Sequence, residues 1–166
     1  NACGNDNCEQ LGGRVMDEML STERTDEDFD NGWEDEYGVF YSRDGKRLLG
    51  RRIKKYEDYY WQVNEYSVRK GTIVVCDKAF SFCKSLQSIE LPKTVTVVGN
   101  EAFSCCGSLH SVTMSNSVMV LGNEAFSSCK SLQSIDLSDT CESIGVKAFD
   151  SCESLQSITL GNSLVT

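Results

Sequence analysis

Nine cysteines carry the most conspicuous potential chemistry of this 166-residue chain, because thiolates bind soft metals, form disulfides and act as nucleophiles. Four of them recur at one constant interval, at Cys83, Cys106, Cys129 and Cys152, and would stack as a redox or metal ladder. Zinc sites, however, need two close cysteine pairs or a Cys/His set, and the chain has a single histidine. A regular stack also offers no unique disulfide pairing, and disulfide geometry is demanding. We therefore expect mostly free thiols that fill buried turns as small apolar side chains, with no metal and no cofactor.

A triplet of carboxylates, Asp26, Asp28 and Asp30, is spaced like the opening of a calcium loop. The sixth position of such a loop should be glycine but is Asn31, and the twelfth is Tyr37 instead of glutamate. We therefore interpret the triplet as part of a solvated acidic linker.

General-base chemistry has one ordinary candidate near neutral pH, His110. It occupies the position that Gln87, Gln133 and Gln156 hold in the neighbouring repeats, which is typical of a variable surface residue. The chain also lacks a phosphate-binding glycine loop that ends in Lys-Ser or Lys-Thr. These observations predict that the protein is not an enzyme.

The basic and aromatic stretch from Arg43 to Trp61 could stack bases and contact phosphates. A formal net charge of -9 opposes general affinity for nucleic acid, so we predict no nucleic-acid partner. The aromatic rings are expected to cover the first repeat, and the basic side chains to stand against the acidic N-terminal segment. No apolar run reaches the length of about eighteen residues that would indicate a transmembrane span.

Charge and apolar spacing divide the chain into three predicted regions. Residues 1–37 hold twelve acidic residues against two arginines and form an acidic, partly flexible leader. Leu11, Val15 and Met19 fall at helical spacing there, which indicates a short helix from about Gln10 to Ser21. In residues 38–64, the Asp44-Gly45 pair between apolar arms predicts a β-hairpin with a type I′ turn, the centre of an aromatic and basic N-terminal cap.

Residues 65–166 are governed by a repeat whose length is twenty-three residues. Ala-Phe pairs begin at Ala79, Ala102, Ala125 and Ala148 without a slip in register. Such self-similarity predicts a solenoid, in which each unit buries its apolar face only against its neighbours. The alternation near the end of residues 85–91 predicts a strand with Ile89 and Leu91 inward and Ser88 and Glu90 outward.

The pattern from Ala79 to Phe103, Ala-Phe-x-x-Cys-x-Ser-Leu-x-Ser-Ile-x-Leu-Pro-x-Thr-Val-x-x-Val-Gly-x-x-Ala-Phe, closely resembles the BspA-type leucine-rich repeats of bacterial surface proteins. The hairpin in residues 41–49 is similar to one that precedes the repeats in Bacteroidetes members. The resemblance implies a leucine-rich-repeat solenoid of stacked short parallel β-strands, preceded by a small β-hairpin capping region. It also implies a cell-surface or secreted adhesin that binds a host extracellular-matrix or bacterial surface protein, without catalytic residues.

Three positions depart from this pattern, but the residue at each of them still has an apolar side chain. Cys76 replaces the turn glycine, Met114 replaces leucine, and Cys141 stands where Val95 and Val118 stand. The last repeat stops within residues 162–166, so we expect the repeat array to be truncated at the C-terminus.

The outward ladder positions of the repeats form the predicted partner-binding face. One row comprises Ser88, Ser111, Ser134 and Ser157, the next comprises Glu90, Thr113, Asp136 and Thr159, and His110 adjoins them. Parallel coils would hold these side chains on a rigid grid. Binding would therefore cost little conformational entropy on this side of the interface. The alternative is that the repeats are a structural spacer or assembly segment of a larger surface protein, with its ligand site elsewhere.

The expected cellular location of the protein depends on whether its N-terminus follows a lipoprotein signal. Ala2-Cys3-Gly4-Asn5-Asp6 resembles the end of a bacterial lipoprotein signal followed by an acidic export tract, which would place a lipid anchor on Cys3. A disulfide from Cys3 to Cys8 and two unpaired thiols are the alternatives. A member without a leader would instead stay in the cytoplasm, where free thiols persist.

Overall fold

A computed structural model describes residues 20–55, 58, 60–137 and 139–165. The predicted helix between Gln10 and Ser21 lies outside these residues except for its last two positions, and Cys3 and Cys8 lie outside them as well. The described elements are one helix, α1 (Asp26–Asn31), and the strands β1 (Trp33–Glu34), β2 (Phe40–Tyr41), β3 (Arg47–Gly50), β4 (Glu65–Ser67), β5 (Val74–Val75), β6 (Ser88–Leu91), β7 (Val97–Val98), β8 (Ser111–Met114), β9 (Val120–Leu121), β10 (Ser134–Asp136), β11 (Ser143–Ile144) and β12 (Ser157–Thr159).

Parallel pairing between equivalent positions of successive repeats builds the solenoid, as the sequence predicts. Ser88 pairs with Ser111 and Ile89 with Val112 across β6 and β8, and Val97 pairs with Val120 across β7 and β9. One sheet, here called the long sheet, has the strand order β1-β2-β3-β5-β7-β9-β11. The other side of each coil contributes a three-stranded sheet, β4-β6-β8, and a two-stranded sheet, β10-β12.

Four phenylalanine rings stack along the axis of the core, one from each Ala-Phe pair: Phe80, Phe103, Phe126 and Phe149. Their centroids are 5.5, 5.0 and 5.7 Å apart, and successive ring planes differ by at most 9°. The first three rings are fully buried. The fixed spacing of the repeat therefore places one aromatic ring per coil on a continuous column.

Each coil turns sharply through two non-glycine residues of positive φ that stand four positions apart. The two series are Lys78, Glu101, Glu124 and Lys147, and Phe82, Cys105, Ser128 and Ser151. A left-handed conformation costs about 1–2 kcal/mol per residue. It directs the amide towards the next coil, where Glu101 N–H donates to the Asn123 carbonyl and Cys105 N–H to the Ser127 carbonyl, each at 2.8 Å. These bonds between coils offset the strain.

A ladder of side-chain oxygens, here called the amide ladder because each accepts a backbone amide of the next coil, joins the coils at the position after the turn glycine or its equivalent Cys76. Asp77 Oδ1 accepts the backbone N–H of Asn100, Asn100 Oδ1 that of Asn123, and Asn123 Oδ1 that of Val146, at 2.7 to 2.8 Å. Each acceptor satisfies an amide that the coil-to-coil ladder would otherwise leave without a partner.

Replacing Asn100 with alanine removes the acceptor for the half-buried Asn123 amide, so we expect the free energy of unfolding to fall by about 1–2 kcal/mol. The measurement is urea denaturation followed by circular dichroism. Asn162→Ala is the matched control, because the Asn162 side chain is exposed, and its effect should stay within about 0.5 kcal/mol. An equal loss in both variants would contradict the role of the ladder.

The N-terminal cap continues the long sheet. Strands β2 and β3 form the predicted antiparallel hairpin, and β3 pairs in parallel with β5 of the first coil. The type I′ prediction is wrong: in the loop of residues 42–46 Gly45 has a positive φ of 72°, Asp44 does not, and Asp44 accepts bonds from the Ser42 hydroxyl and the Lys46 amide. The loop is longer than a two-residue turn, so its stereochemistry differs.

Residues 22–36 of the acidic leader pack on this hairpin. Thr25 and Asp28 form a reciprocal capping box at the start of α1, and β1 adds an antiparallel strand beside β2. The described part of this stretch therefore contributes a helix and a strand to the cap. The division of the chain at residue 38 itself stays a prediction.

Candidate protein-binding face

The outward residues of β4, β6, β8, β10 and β12, here called the repeat face, lie in rows across the coils. Ser88 stands between Glu65 and Ser111, and Glu90 stands between Ser67 and Thr113. In the second block Ser134 pairs with Ser157 and Asp136 with Thr159. Ser88 and Ser111 are partly exposed, and the remaining predicted residues are exposed: Glu90, His110, Thr113, Ser134, Asp136, Ser157 and Thr159. All nine predicted positions thus reach the surface.

The rows fall into two blocks because β8 and β10 are not paired as strands of one sheet. Val112 and Met114 of β8 are only partly buried, whereas the equivalent Ile89 and Leu91 of β6 are buried. A single continuous grid is therefore not what the structure shows. The face consists of a three-stranded block next to the cap and a two-stranded block beyond it.

Glu90 and His110 lie on the first block. Glu90 accepts a hydrogen bond from the hydroxyl of Ser67 at 3.0 Å, which fixes the carboxylate on the row beside the cap. His110 lies in the turn before β8, where its backbone N–H donates to the Gln87 carbonyl at 3.0 Å. Its imidazole is exposed, as its place among surface glutamines predicts.

A cavity of about 400 Å³ opens where the repeat face meets the cap. It combines carboxylates, an arginine and tyrosine rings, and its lining residues are Asp35, Glu36, Tyr37, Glu65, Tyr66, Ser67 and Arg69. Glu65 and Ser67 belong to the same strand that begins the rows of the face. Sequence reasoning missed this cavity, because its walls come from segments about thirty residues apart.

A chain of two hydrogen bonds, the first buried and the second partly buried, runs beneath the cavity. The Tyr41 and Tyr66 hydroxyls are 2.6 Å apart, and Tyr66 donates to Asp35 Oδ2 at 2.6 Å. Burial raises the pKa of Tyr66 well above its ordinary value, and the bond to the Asp35 carboxylate raises it further. Tyr66 therefore stays protonated and keeps donating across the accessible pH range.

Arg69 forms one wall. Its guanidinium pairs with Glu36 at 2.8 Å and lies 5.0 Å from the centre of the Trp33 ring. The side chain is thus held by both charge and aromatic contact. A fixed arginine beside the exposed carboxylates of Glu65 and Glu36 gives this end of the face a mixed polar character suited to protein recognition.

The repeated cysteines pack in the turns and bond to the previous coil. The seven cysteines that the structure describes are free thiols. Cys106 Sγ donates to the Phe80 carbonyl and Cys129 Sγ to the Phe103 carbonyl, each at 3.1 Å. Burial raises the pKa of the Cys129 thiol to about 12 and that of Cys83 to about 11. Both thiols are protonated at neutral pH, so they are poor nucleophiles and poor metal ligands.

The interpretation of the calcium-like triplet as a solvated linker is wrong: Asp26, Asp28 and Asp30 lie in helix α1, and each pairs with an arginine. Asp28 pairs with Arg47 at 2.7 Å, while Asp26 and Asp30 both contact Arg52, at 3.2 and 2.7 Å. Within the described part of the chain, no group of three or more His, Cys, Asp or Glu side chains is arranged to hold a metal ion. The prediction that the basic stretch stands against the acidic segment is confirmed at these three pairs.

Trp61 of the cap covers the first coil, as predicted, together with Tyr66 of β4. The Trp61 ring is 5.7 Å from Phe80, and the Tyr66 ring is 5.4 Å from it. Arg51 lies 5.3 Å from the centre of the Trp61 ring. These contacts bury Trp61, whereas Tyr60 of the same basic and aromatic stretch is exposed.

Stacked parallel coils with a small antiparallel cap and a row of outward polar side chains define a leucine-rich-repeat solenoid of the protein-interaction class. A family model for the BspA type leucine rich repeat region matches residues 51–166 in six copies. The chain belongs to this family. The match begins before residue 65, the predicted start of the repeats.

Solved structures with the same fold come from bacterial proteins. A leucine rich cell surface protein from Faecalibacterium prausnitzii has 25% identity and a TM-score of 0.72, over 81% of this chain and 35% of that protein. The pneumococcal vaccine antigen PcpA has 22% identity and a TM-score of 0.72, over 81% of this chain and 32% of that protein. A leucine-rich repeat protein from Bacteroides capillosus has 19% identity and a TM-score of 0.63, over 78% of this chain and 97% of that protein.

This chain spans about a third of the first two proteins. No curated protein matches it. Among the described residues, no helix is long and apolar enough to cross a membrane.

Proposed function

We propose that this chain is a protein-binding module of a bacterial cell-surface or secreted protein, and that it binds through the repeat face. The observation that carries the proposal is the exposure, in fixed register, of hydroxyl and carboxylate rows in two blocks, the first of which begins at the cavity beside the cap. A backbone held in register by its neighbours presents these groups without further ordering, so association loses little conformational entropy on this side.

The proposed partner is a host extracellular-matrix protein or a bacterial surface protein, and the proposed role is adhesion. Family membership supports protein interaction, and the Faecalibacterium relative is described as a cell surface protein. The repeated thiols are buried with a raised pKa, so they are not activated nucleophiles, which supports binding rather than catalysis. A lipid on Cys3 would attach such a module to the cell and stays part of the proposal.

Charge reversal on the repeat face tests this function. In the double variant Glu90→Lys, Asp136→Lys, both blocks of the face lose an exposed carboxylate and gain a cation. We expect affinity for the matrix protein bound by the wild-type chain to fall at least tenfold, which corresponds to about 1.4 kcal/mol. The measurement is biolayer interferometry against individually immobilised extracellular-matrix proteins.

The matched control is Glu27→Lys, Glu124→Lys, which changes the net charge by the same amount at exposed positions outside the repeat face. Lysine already occupies the equivalent of Glu124 at Lys78 and Lys147, so the control is compatible with the fold. Unchanged binding by the repeat-face variant, or equal loss in the control, would refute this face as the binding site.

The alternative function is a structural spacer or assembly segment. The specific observation in its favour is the hydrogen-bonded continuity of the coils, from Leu48 of the cap through Cys76 to the later turn glycines, which makes the array a rigid unit. A wild-type chain that binds none of the immobilised proteins would favour this alternative.

A further inference from the structure

The cavity of about 400 Å³ where the repeat face meets the cap, here called the cap cavity, has the size and lining of a site for a small polar ligand. Ligand pockets commonly measure about 300–1,000 Å³. The residues that line the cap cavity carry carboxylates, phenol rings, a hydroxyl and a guanidinium, and none of them has an aliphatic side chain. Such a lining suits a compact molecule that forms several hydrogen bonds and offers one apolar face to an aromatic ring.

Tyr37 supplies an exposed aromatic ring at this cavity. The residue is 48% exposed, yet its position is fixed. Its amide donates to Asp35 Oδ1 at 2.9 Å, and the indole of the buried Trp61 donates to the Tyr37 carbonyl at 2.7 Å. The Tyr37 ring also stands edge-on to the Tyr66 ring, with the two centroids 5.8 Å apart. A ligand that packs on Tyr37 therefore meets a ring that is already in place.

Arg69 and Glu36 place a donor and an acceptor side by side in the same cavity. The two charged groups are 2.8 Å apart, and the Trp33 ring, 5.0 Å from the guanidinium carbon, helps to orient the arginine. Both side chains remain accessible, at 46% and 66% exposure. A guanidinium has more N–H donors than one carboxylate occupies, so the pair keeps hydrogen-bonding capacity for a ligand. Neighbouring hydroxyls of a sugar, each of which donates and accepts, match such a pair.

The charges of the cavity favour an uncharged ligand. Asp35 already accepts three hydrogen bonds from its neighbours, and Glu36 is paired with Arg69. A cationic ligand would therefore have to displace an existing partner or rely on Glu65 alone. An anionic ligand would meet the carboxylates of Asp35, Glu36 and Glu65 against a single guanidinium. A neutral ligand with several hydroxyls meets neither obstacle.

We propose that the cap cavity binds one neutral sugar residue of a glycan. The Tyr37 ring packs against the C–H groups of one sugar face, and the sugar hydroxyls bond to the pair of Arg69 and Glu36. The glycan is carried by a protein or belongs to a polysaccharide. The inference rests on the proposed function, because it adds a glycan to what the partner presents beside the repeat face, but sugar binding is measured without a protein partner.

Nuclear magnetic resonance titration of the isotope-labelled full chain tests the site, because both tryptophans of the chain adjoin it. Trp61 bonds to the Tyr37 carbonyl, and Trp33 lies beside Arg69. The neutral probes are glucose, galactose, mannose, N-acetylglucosamine and N-acetylgalactosamine, and the charged probes are sialic acid and N-acetylarginine amide. We expect at least one neutral sugar to shift an indole N–H signal in a saturable way, and neither charged probe to do so.

An absence of shifts with all the neutral sugars would overturn the proposal. Saturable shifts with N-acetylarginine amide alone would also overturn it, because the cavity would then take a basic side chain of a protein. Shifts with sialic acid alone would do the same, because Arg69 would then recognise an anion.

Replacing Tyr37 with alanine should weaken the sugar affinity at least tenfold, because the variant loses the aromatic surface. Tyr37→Phe keeps the ring and should retain the affinity within about threefold. Tyr60→Ala is the matched control, since Tyr60 is 60% exposed and lies outside the cavity lining, and its affinity should not change. Undiminished affinity in Tyr37→Ala, or an equal loss in Tyr60→Ala, would refute the role of this ring.

The carrier of the sugar is identified with an immobilised matrix glycoprotein before and after enzymatic deglycosylation, and with a neutral polysaccharide as competitor. If the glycoprotein carries the sugar, deglycosylation abolishes the difference in binding between the wild-type chain and Tyr37→Ala. If a polysaccharide carries it, the polysaccharide shifts the indole signals and deglycosylation changes nothing. Either result supports the sugar site.

The sugar site and the protein-binding face fail separately. A sugar response in a chain that binds no matrix protein would refute the proposed function and leave the cap cavity as a sugar site. Protein binding that depends on Glu90 and Asp136, in a chain without a sugar response, would refute the sugar site alone.

Discussion

Replacing Phe103 with alanine should lower the free energy of unfolding by about 4 kcal/mol, the largest effect expected of any side-chain truncation in this chain. Phe103 is fully buried and lies between two stacked rings, 5.5 Å from Phe80 and 5.0 Å from Phe126. Its removal leaves a cavity between coils that cannot collapse, because hydrogen bonds on every side fix the spacing of the coils. A solenoid depends on contacts between neighbouring repeats, so the loss weakens both interfaces of this coil.

Urea denaturation followed by circular dichroism measures this loss, and Phe149→Ala is the matched control. Phe149 is partly exposed, and among the described rings it stacks on Phe126 alone. We expect its truncation to cost about half as much, roughly 2 kcal/mol. Equal losses in the two variants would show that stacking on both sides does not govern the stability of the column.

The repeat register was readable from the sequence because equal spacing forces equal geometry. Since Ala102 and Ala125 hold the same place in consecutive repeats of equal length, their coils must superpose, and the alternation around Ile89 decides which side chains face inward. The structure confirms this orientation: Ile89 and Leu91 are buried, and Glu90 is exposed. The same alternation identified the outward positions of the candidate face.

The cavity beside that face could not be read in the same way. The contact between Asp35 and Tyr66 joins residues 31 positions apart, and the contact between Tyr41 and Tyr66 joins residues 25 apart, outside any repeat. No periodicity links such positions, so only the folded cap reveals that they meet. The ion pair between Asp28 and Arg47 could not be predicted either, because both residues lie outside the repeats.

The amide ladder was missed for a different reason. Its acceptors are Asp77, Asn100 and Asn123, whereas Val146 holds the same repeat position and only donates its backbone N–H, and this variation disguised their common place. What the position requires is an oxygen that accepts the next coil's amide, which Asp and Asn both provide. A search for shared hydrogen-bonding capacity at each repeat position would have found it.

The second large loss of stability is expected at a turn glycine. Gly122→Ala should lower the free energy of unfolding by about 3 kcal/mol. A Cβ at Gly122 would lie 2.5 Å from the Asn100 nitrogen and 2.5 Å from the Gly99 carbonyl carbon, both of them backbone atoms of the previous coil. The Gly122 amide also donates to the Val98 carbonyl at 2.8 Å. Relief of the clash therefore requires the coils to separate at the place where this ladder bond holds them together.

Gly107→Ala is the matched control for this prediction, because a Cβ at Gly107 would meet no atom within 4 Å. Its urea midpoint should match or slightly exceed that of the wild-type chain, since alanine restricts the unfolded state more than glycine does. The first coil does not need this glycine, because Cys76 holds the equivalent position there. The strand before this coil is β3 of the cap, and the Cys76 amide donates to the Leu48 carbonyl. If Gly122→Ala is as stable as Gly107→Ala, backbone contact between coils does not explain the glycine at this turn.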